Sequence, residues 1–250
     1  MIGAVPALLA LAFLITALLY ASVGFGGGST YAALLAISGL DYRLLPMVAL
    51  ACNIVVVAGG TIRFVRAKLM PWKGALVMTA LAAPAALLGG LTPLDEASFM
   101  LLLGSSLVLT AATMLVPMRE DASEKPADFA RFMPIIAAPL GYLAGLVGIG
   151  GGIFLAPLLH LTRWRDARAI AATASFFILV NSLFGLVGQL MKRGPDAFGG
   201  AIGASLPLLL AVAIGGQVGS LMAVKVLPKR WIRWLTAALV FVVGVRLLAG

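Results

Sequence analysis

The chain has 250 residues, of which 62% are hydrophobic and 11% are charged, and its formal net charge is +9. Soluble domains carry about 25% charged residues, so this composition excludes an ordinary soluble protein and predicts an all-α integral membrane protein whose surroundings are the lipid bilayer. The positive charges mark the ends of apolar segments and are not gathered on one surface, which argues against nucleic acid as a partner.

Ten apolar segments follow one another along the chain. Eight approach or reach the length of about 20 residues that a helix needs to cross a bilayer, at 4–22, 44–62, 71–92, 97–117, 133–147, 169–190, 199–224 and 232–249. Two more, 29–39 and 153–162, would cover only about 16 Å as helices and are predicted to be half-helices. No Lys or Arg precedes Arg43, so the first segment is expected to be a permanent helix and not a cleaved signal peptide.

Each half-helix follows a glycine triplet, and the two triplets belong to a duplication. Val-Gly-Phe-Gly-Gly-Gly at 23–28 returns as Val-Gly-Ile-Gly-Gly-Gly at 147–152, a shift of 124 residues. Asp41 and Asp166 repeat at a shift of 125 and are predicted N-caps of the next long helices. Gly59 and Gly185 repeat at a shift of 126. Duplicated glycine breaks in apolar segments indicate a transporter whose substrate site lies at the breaks.

The basic residues distinguish ten membrane crossings from eight, because cytoplasmic loops are enriched in Lys and Arg. Ten crossings with an outside N-terminus place 14 of the 18 basic residues on one side, whereas eight crossings divide them 10 against 8. We therefore predict two five-helix repeats, 1–117 and 132–250, joined by a polar cytoplasmic linker at 118–131. An odd number of crossings inverts the second repeat and leaves both termini outside the inner membrane.

The glycine triplets could bring backbone amides close to a small anion, and the half-helix N-termini that follow them attract negative charge. Neighbouring polar side chains could add hydrogen bonds. The predicted substrate-binding residues are Gly26, Gly27, Gly28, Ser29, Asn53, Gly150, Gly151, Gly152, Ser175 and Asn181. The alternative is structural, since glycine also permits close helix packing and Asn also joins helices in membranes. Packing is the prediction for Gly89, Gly215, Gly216 and Gly219, and helix contacts are the prediction for Gln189 and Gln217.

The duplicated G-[FI]-G-G-G element, followed by a short apolar helix with Pro157 in the second copy, resembles the TauE/SafE sulfite exporter family over essentially the whole chain. The resemblance implies export of sulfite, sulfoacetate or a related small anion across the bacterial cytoplasmic membrane. The first copy departs from the pattern, because Ala32 and Ala33 follow its triplet without a proline.

Several kinds of chemistry are not expected. No nucleotide-binding G-x-x-x-x-G-K-[ST] loop, H-E-x-x-H motif or nucleophile–base pair is present, so the sequence predicts no catalytic site, metal site or cofactor. All nine carboxylates fall in loops or at helix ends, which favours passive flux or coupling through the substrate's own protonation. Transport of another small organic anion such as a carboxylate, and a non-transporting accessory role, stay open as alternatives.

Overall fold

The computed structural model describes residues 7–22, 24–115, 132–222 and 229–249. These residues form eleven helices. In chain order they are α1 (Ala7–Ser22), α2 (Gly28–Ile37), α3 (Leu45–Arg66), α4 (Trp72–Leu91), α5 (Glu96–Leu115), α6 (Met133–Val147), α7 (Gly152–Leu161), α8 (Ala167–Arg193), α9 (Pro195–Ala204), α10 (Leu206–Met222) and α11 (Lys229–Ala249). The predicted linker at 118–131 lies outside the described residues, so the division into two repeats stays a prediction.

The prediction of an all-helical protein is confirmed for the described residues. Four helices, α3, α4, α5 and α8, are long and apolar enough to cross a membrane. A fifth crossing results if α9 and α10 form one bent span. The predicted half-helices are confirmed as α2 and α7, each ten residues long, or about 15 Å.

Two predicted segments have wrong boundaries. The segment predicted as one helix at 199–224 is two helices, α9 and α10, with axes 65° apart. Pro207 lies in the first turn of α10 and has no N–H to donate to the Gly203 carbonyl oxygen of α9, so the hydrogen bonds of α9 cannot continue through it. Helix α8 continues beyond 190 through Lys192 and Arg193, which were expected in a loop.

The two predicted aspartate caps have different outcomes. Asp166 is the N-cap of α8, because its carboxylate accepts hydrogen bonds from the amides of Arg168 and Ala169 at 2.9 and 3.0 Å. Asp41 does not cap α3. Its side chain accepts from the Arg43 amide at 2.8 Å and closes a turn that precedes Leu45, the first residue of the helix.

The halves of the chain interlock through helix pairs. Helix α1 packs on α10, α4 on α6 and α8, α3 on α8 and α10, and α5 on α11. Small residues permit the close approach. A Cβ on Gly89 would overlap the Tyr142 carbonyl group of α6, and Cβ atoms on Gly215 and Gly219 would overlap carbonyl groups of α1. Gly216 lies against Val56 of α3, so all four glycines predicted for packing are confirmed.

The surface and the interior have the polarity expected of a membrane protein. Large apolar side chains such as Leu8 and Leu221 are 77% and 70% exposed. Polar side chains are buried instead, among them Asn53, Asn181 and Ser182, each 0% exposed. Exposed apolar side chains of this kind are suited to contact with lipid.

Candidate functional site

The two glycine breaks share an unusual backbone conformation at two equivalent pairs of glycines. Gly24 and Gly27 have φ angles of +85° and +86°, and Gly148 and Gly151, 124 residues later, have φ angles of +84° and +75°. The left-handed region that these angles occupy is accessible to glycine at little cost. The duplicated sequence therefore builds two similar turns that differ at one position, because Gly150 has a φ angle of +85° and its counterpart Gly26 has no positive φ. Each turn leads into a ten-residue helix.

The turns leave backbone donors free at the start of both half-helices. Among the described residues, no acceptor pairs with the amides of Gly28, Ser29 and Thr30 in α2, or of Gly152 and Ile153 in α7. The first amides of any helix lack partners within it and carry its partial positive charge. Such amides are suitable donors for an anion.

Asn53 of α3 lies between the two breaks. A Cβ on Gly26 would be 2.8 Å from Oδ1 of Asn53, and a Cβ on Gly150 would be 2.8 Å from its Nδ2. A Cβ on Gly28 would meet both Asn53 and the Ile149 carbonyl oxygen. The breaks therefore touch each other, and the absence of side chains makes room for one amide group between them.

Polar atoms without partners surround this contact. Oδ1 of Asn53, Oγ of Ser29 and Oγ of Ser182 are buried and have no hydrogen-bond partner within the described part of the chain. Nδ2 of Asn53 donates to the Gly148 carbonyl oxygen at 3.5 Å, a long hydrogen bond. Ser182 lies 3.3 Å from the Cβ position of Gly150. Buried polar groups are normally paired, so this cluster is a candidate site for a polar ligand.

Asn181 belongs to the same stretch of α8, and both atoms of its buried amide group also lack partners. It follows Ile178, the residue that contacts Gly26, Gly150 and Gly152, by three positions. Residues three or four apart share a helix face. Asn181 and Ser182 therefore border the region where the breaks meet.

Other predicted site residues lie elsewhere. A Cβ on Gly27 would face Tyr31 and Thr16. A Cβ on Gly151 would face Phe177 and Leu140, so both positions face neighbouring helices and not Asn53. Gly152 lies against Ile178. The hydroxyl of Ser175 already has a partner, because it pairs with Thr61 at 3.0 Å.

The sequence analysis did not select Ser182. Its spacing from Ile178 is one helical turn, and a hydroxyl within an apolar helix is a signal that can be read from the sequence. Its assignment to the centre, the region where Asn53 lies between the two breaks, nevertheless requires the contact with Gly150, which is 32 residues away in the sequence.

Two sets of polar side chains lie on either side of the centre. On one side Arg63 donates to Ser220 and, at 2.8 Å, to Oε1 of Gln217. On the other side Gln189 donates to the Gly145 carbonyl oxygen at 3.1 Å, and Lys192 donates to the Thr92 carbonyl oxygen at 3.0 Å. The predicted helix contacts of Gln189 and Gln217 are thus confirmed.

The centre is closed in this conformation. Asn53, Asn181 and Ser182 are 0% exposed, and Ser29 is 1% exposed. A solute would reach it only after helices on one side separate.

Comparison with known proteins matches the whole membrane region to one family. The family model described as Sulfite exporter TauE/SafE matches residues 8–247. A relative named probable membrane transporter protein y4hK, from Sinorhizobium fredii, is 35% identical over 249 residues, which cover 96% of this chain and 97% of the relative.

More distant relatives extend this similarity to other organisms. Probable membrane transporter protein YunE from Bacillus subtilis is 25% identical over 74% of this chain and 82% of its own. Sulfite exporter TauE/SafE family protein 1 from Arabidopsis thaliana is 34% identical over 45% of this chain and 23% of its own. No solved structure matches the chain.

Proposed function

Because the chain belongs to the sulfite exporter TauE/SafE family of membrane transporters, we propose that it exports a small sulfur oxyanion, such as sulfite or sulfoacetate, across the bacterial cytoplasmic membrane. The family relation establishes a transporter and not an enzyme. The unpartnered polar cluster where the two glycine breaks meet Asn53 is the observation that carries the proposed substrate class.

The donors at the centre suit an oxyanion. Free amides begin α2 and α7, and the hydroxyls of Ser29 and Ser182 can add donated hydrogen bonds. Each helix N-terminus is equivalent to about half a positive charge. Neutral donors avoid the cost of a buried Lys or Arg, which is about 2.5–3.5 kcal/mol at the middle of a membrane helix. They therefore bind an anion without a permanent charge in the empty site.

We propose further that the halves, 1–117 and 132–250, are inverted repeats with ten crossings in total. The packing of helices between the halves supports this. Helices α1 and α6 occupy equivalent positions in the two halves; α1 packs on α10 of the second half, and α6 packs on α4 of the first half. The distribution of basic residues supports an outside N-terminus and C-terminus. The 14 residues assigned to the cytoplasmic side are Arg63, Arg66, Lys68, Lys73, Arg119, Lys125, Arg131, Arg163, Arg165, Arg168, Lys225, Lys229, Arg230 and Arg233.

Inverted repeats also supply a transport mechanism. A closed centre between two matching turns can open to either side when one set of helix contacts separates and the equivalent set stays closed. The described carboxylates Asp41, Asp95, Glu96, Asp166 and Asp196 lie in loops or at helix ends. The driving force in this proposal is therefore the anion gradient and the membrane potential, or protonation of the substrate itself.

The experiment is sulfite flux through proteoliposomes that contain the purified chain. The proposal is supported if sulfite flux saturates with concentration and if an imposed inside-negative potential accelerates the outward flux. Flux of small carboxylates without flux of sulfite would assign a different substrate class. Absence of flux for every anion, in protein that remains folded, would favour an accessory role and overturn the proposed transport.

A further inference from the structure

A second group of cationic and polar side chains lies at the C-terminal end of α8. A small pocket there is lined by Tyr42, Thr92, Gln189, Lys192 and Arg193, together with apolar residues including Pro46 and Leu146. We call these five polar residues the α8 vestibule. Its described lining contains two positive charges and no carboxylate.

Donors in the α8 vestibule remain available for a ligand. Nε of Arg193 is buried and has no hydrogen-bond partner among the described residues. Lys192 uses one of its three protons for the Thr92 carbonyl oxygen. At the other end of the molecule, Arg63 is already bound to Gln217 and Ser220. Arg193 and Arg63 therefore differ, because the buried Nε of Arg193 has no partner among the described residues.

Charges near the α8 vestibule leave it positive. Arg43 and Asp41 lie within electrostatic range of Arg193, and Glu96 lies within range of Arg43. The Asp41 carboxylate accepts a hydrogen bond from the Arg43 amide. Three cations therefore face two carboxylates, and both carboxylates lie outside the pocket lining.

The α8 vestibule is continuous with the centre along one helix face. Ser182, Gly185, Gln189 and Arg193 follow one another at spacings of three or four residues, so they form a single row on α8. The first three are buried. From the other helix, Pro46 precedes Asn53 by seven residues, which is about 10 Å along α3. Arg193 follows Ser182 by 11 residues of α8, so an anion held at Arg193 would be about three helical turns, or about 16 Å, from Ser182.

We infer that the α8 vestibule is a second anion-binding site, which captures or releases a small oxyanion on one side of the membrane before or after it occupies the centre. This inference rests on the proposed anion transport and adds a site that the glycine motif does not include. Lys192 and Arg193 are partly exposed, and a guanidinium and an ammonium group bind oxyanions by charge-assisted hydrogen bonds. They also raise the local anion concentration, an effect that salt weakens.

The test measures sulfite KM separately from each side of proteoliposomes. Cys52, the only cysteine, is buried, so Arg66→Cys introduces one accessible thiol at the opposite end of α3, and an impermeant maleimide then reports orientation. The double variant Lys192→Gln/Arg193→Gln removes two charges. Lys68→Gln/Lys73→Gln removes two exposed charges from the opposite side and serves as the matched control.

We expect Lys192→Gln/Arg193→Gln to raise KM about three- to tenfold for sulfite presented on the vestibule side, with kcat and the KM from the other side unchanged. Lys192→Arg/Arg193→Lys should retain the original KM, and the control pair should leave the vestibule-side KM unchanged. An unchanged KM in Lys192→Gln/Arg193→Gln would overturn the inference. An equal rise in KM for sulfite presented on either side would overturn it as well.

Failure of the proposed function is distinguishable from failure of this site. If the unsubstituted chain shows no saturable sulfite flux, the proposed function fails, and the α8 vestibule is judged by sulfite binding to purified full-length protein. A sulfite-dependent rise in Tm that shrinks in Lys192→Gln/Arg193→Gln supports the site. An equal rise in both proteins, or no rise in either, contradicts it.

Discussion

Asn53, in the first copy of the duplication, lies directly against Gly150 in the second. A Cβ at Gly150 would be 2.8 Å from the Asn53 amide nitrogen. One side chain therefore contacts both glycine breaks, because Gly26 approaches its oxygen at the same distance. Any rearrangement that moves the breaks apart must change the surroundings of Asn53, and this residue is the most direct place to test the proposed site.

Replacing Asn53 with Leu should weaken sulfite binding while the protein remains folded. The substitution removes the donor and the acceptor together and keeps a similar volume. Hydrogen bonds to charged groups contribute about 1.5–3 kcal/mol, which corresponds to a loss of affinity of about ten- to hundredfold. The measurement is the sulfite-dependent rise in Tm, followed by flux in proteoliposomes.

Thr110→Val is the control for Asn53→Leu. Thr110 is also buried with an unpartnered hydroxyl, but it lies in α5, which packs on α11. The control should retain the sulfite response. If both variants lost it equally, the effect would belong to the burial of polar groups in general and not to Asn53.

Replacing Gly26 with Ala should reduce flux through occlusion. Gly26 does not have a positive φ, so alanine is compatible with its backbone, but the new Cβ would lie 2.8 Å from Oδ1 of Asn53 and 3.1 Å from Val57. Crowding of this kind costs about 1–3 kcal/mol in a packed core. We expect a folded protein with strongly reduced sulfite flux and a reduced sulfite-dependent shift in Tm.

Gly199→Ala is the matched control for Gly26→Ala. A Cβ at Gly199 in α9 would have no neighbour within 4 Å, so flux should stay at its original value. Normal flux in Gly26→Ala would show that the side chain of Asn53 can move away without consequence, and the site would then have to lie elsewhere.

Ser182→Ala should affect binding more than stability. The hydroxyl has no partner among the described residues, so its removal breaks no internal hydrogen bond. Loss of one donated hydrogen bond to a charged ligand would reduce affinity about tenfold or more. Equilibrium binding of labelled sulfite, together with Tm without ligand, separates the two effects. A large fall in ligand-free Tm with unchanged affinity would identify Ser182 as a structural residue only.

Asp166→Ala should destabilise the start of α8 by about 0.5–2 kcal/mol, the usual cost of losing an N-cap. Asp41→Ala should cost less, since Asp41 closes a turn and does not cap α3. Asp166→Asn retains an acceptor and should be close to the original stability. Reversible unfolding in detergent measures the three variants, and equal losses for Asp41 and Asp166 would refute the difference between the two caps.

The helices were largely predictable from the chain because apolar length determines what can cross a bilayer. The predicted segment 71–92 is α4 at Trp72–Leu91, and 133–147 is α6 at Met133–Val147. The errors occur where local chemistry interrupts a long apolar run. The glycine-rich segment before Pro207 ends α9 at Ala204, and the half-buried Lys192 and Arg193 remain in helix α8.

The candidate site was predictable only in part. The glycine triplets were identifiable because they repeat, but their six members do not have equal positions. Gly26 and Gly150 contact Asn53, whereas Gly27 and Gly151 border Tyr31 and Phe177. A run of three glycines does not reveal which Cα faces inward, since that direction depends on the φ and ψ angles of the turn.

By itself, the sequence determined that this is a helical membrane protein with a duplicated, glycine-broken helix in each half, because composition and repetition along the chain are local properties. Only the tertiary structure decided that Asn53 joins the two breaks, that Ser182 belongs beside them, and that Arg193 has an unpartnered nitrogen at a pocket. These facts depend on contacts between helices that are distant in the chain, and the packing of small residues brings those helices together.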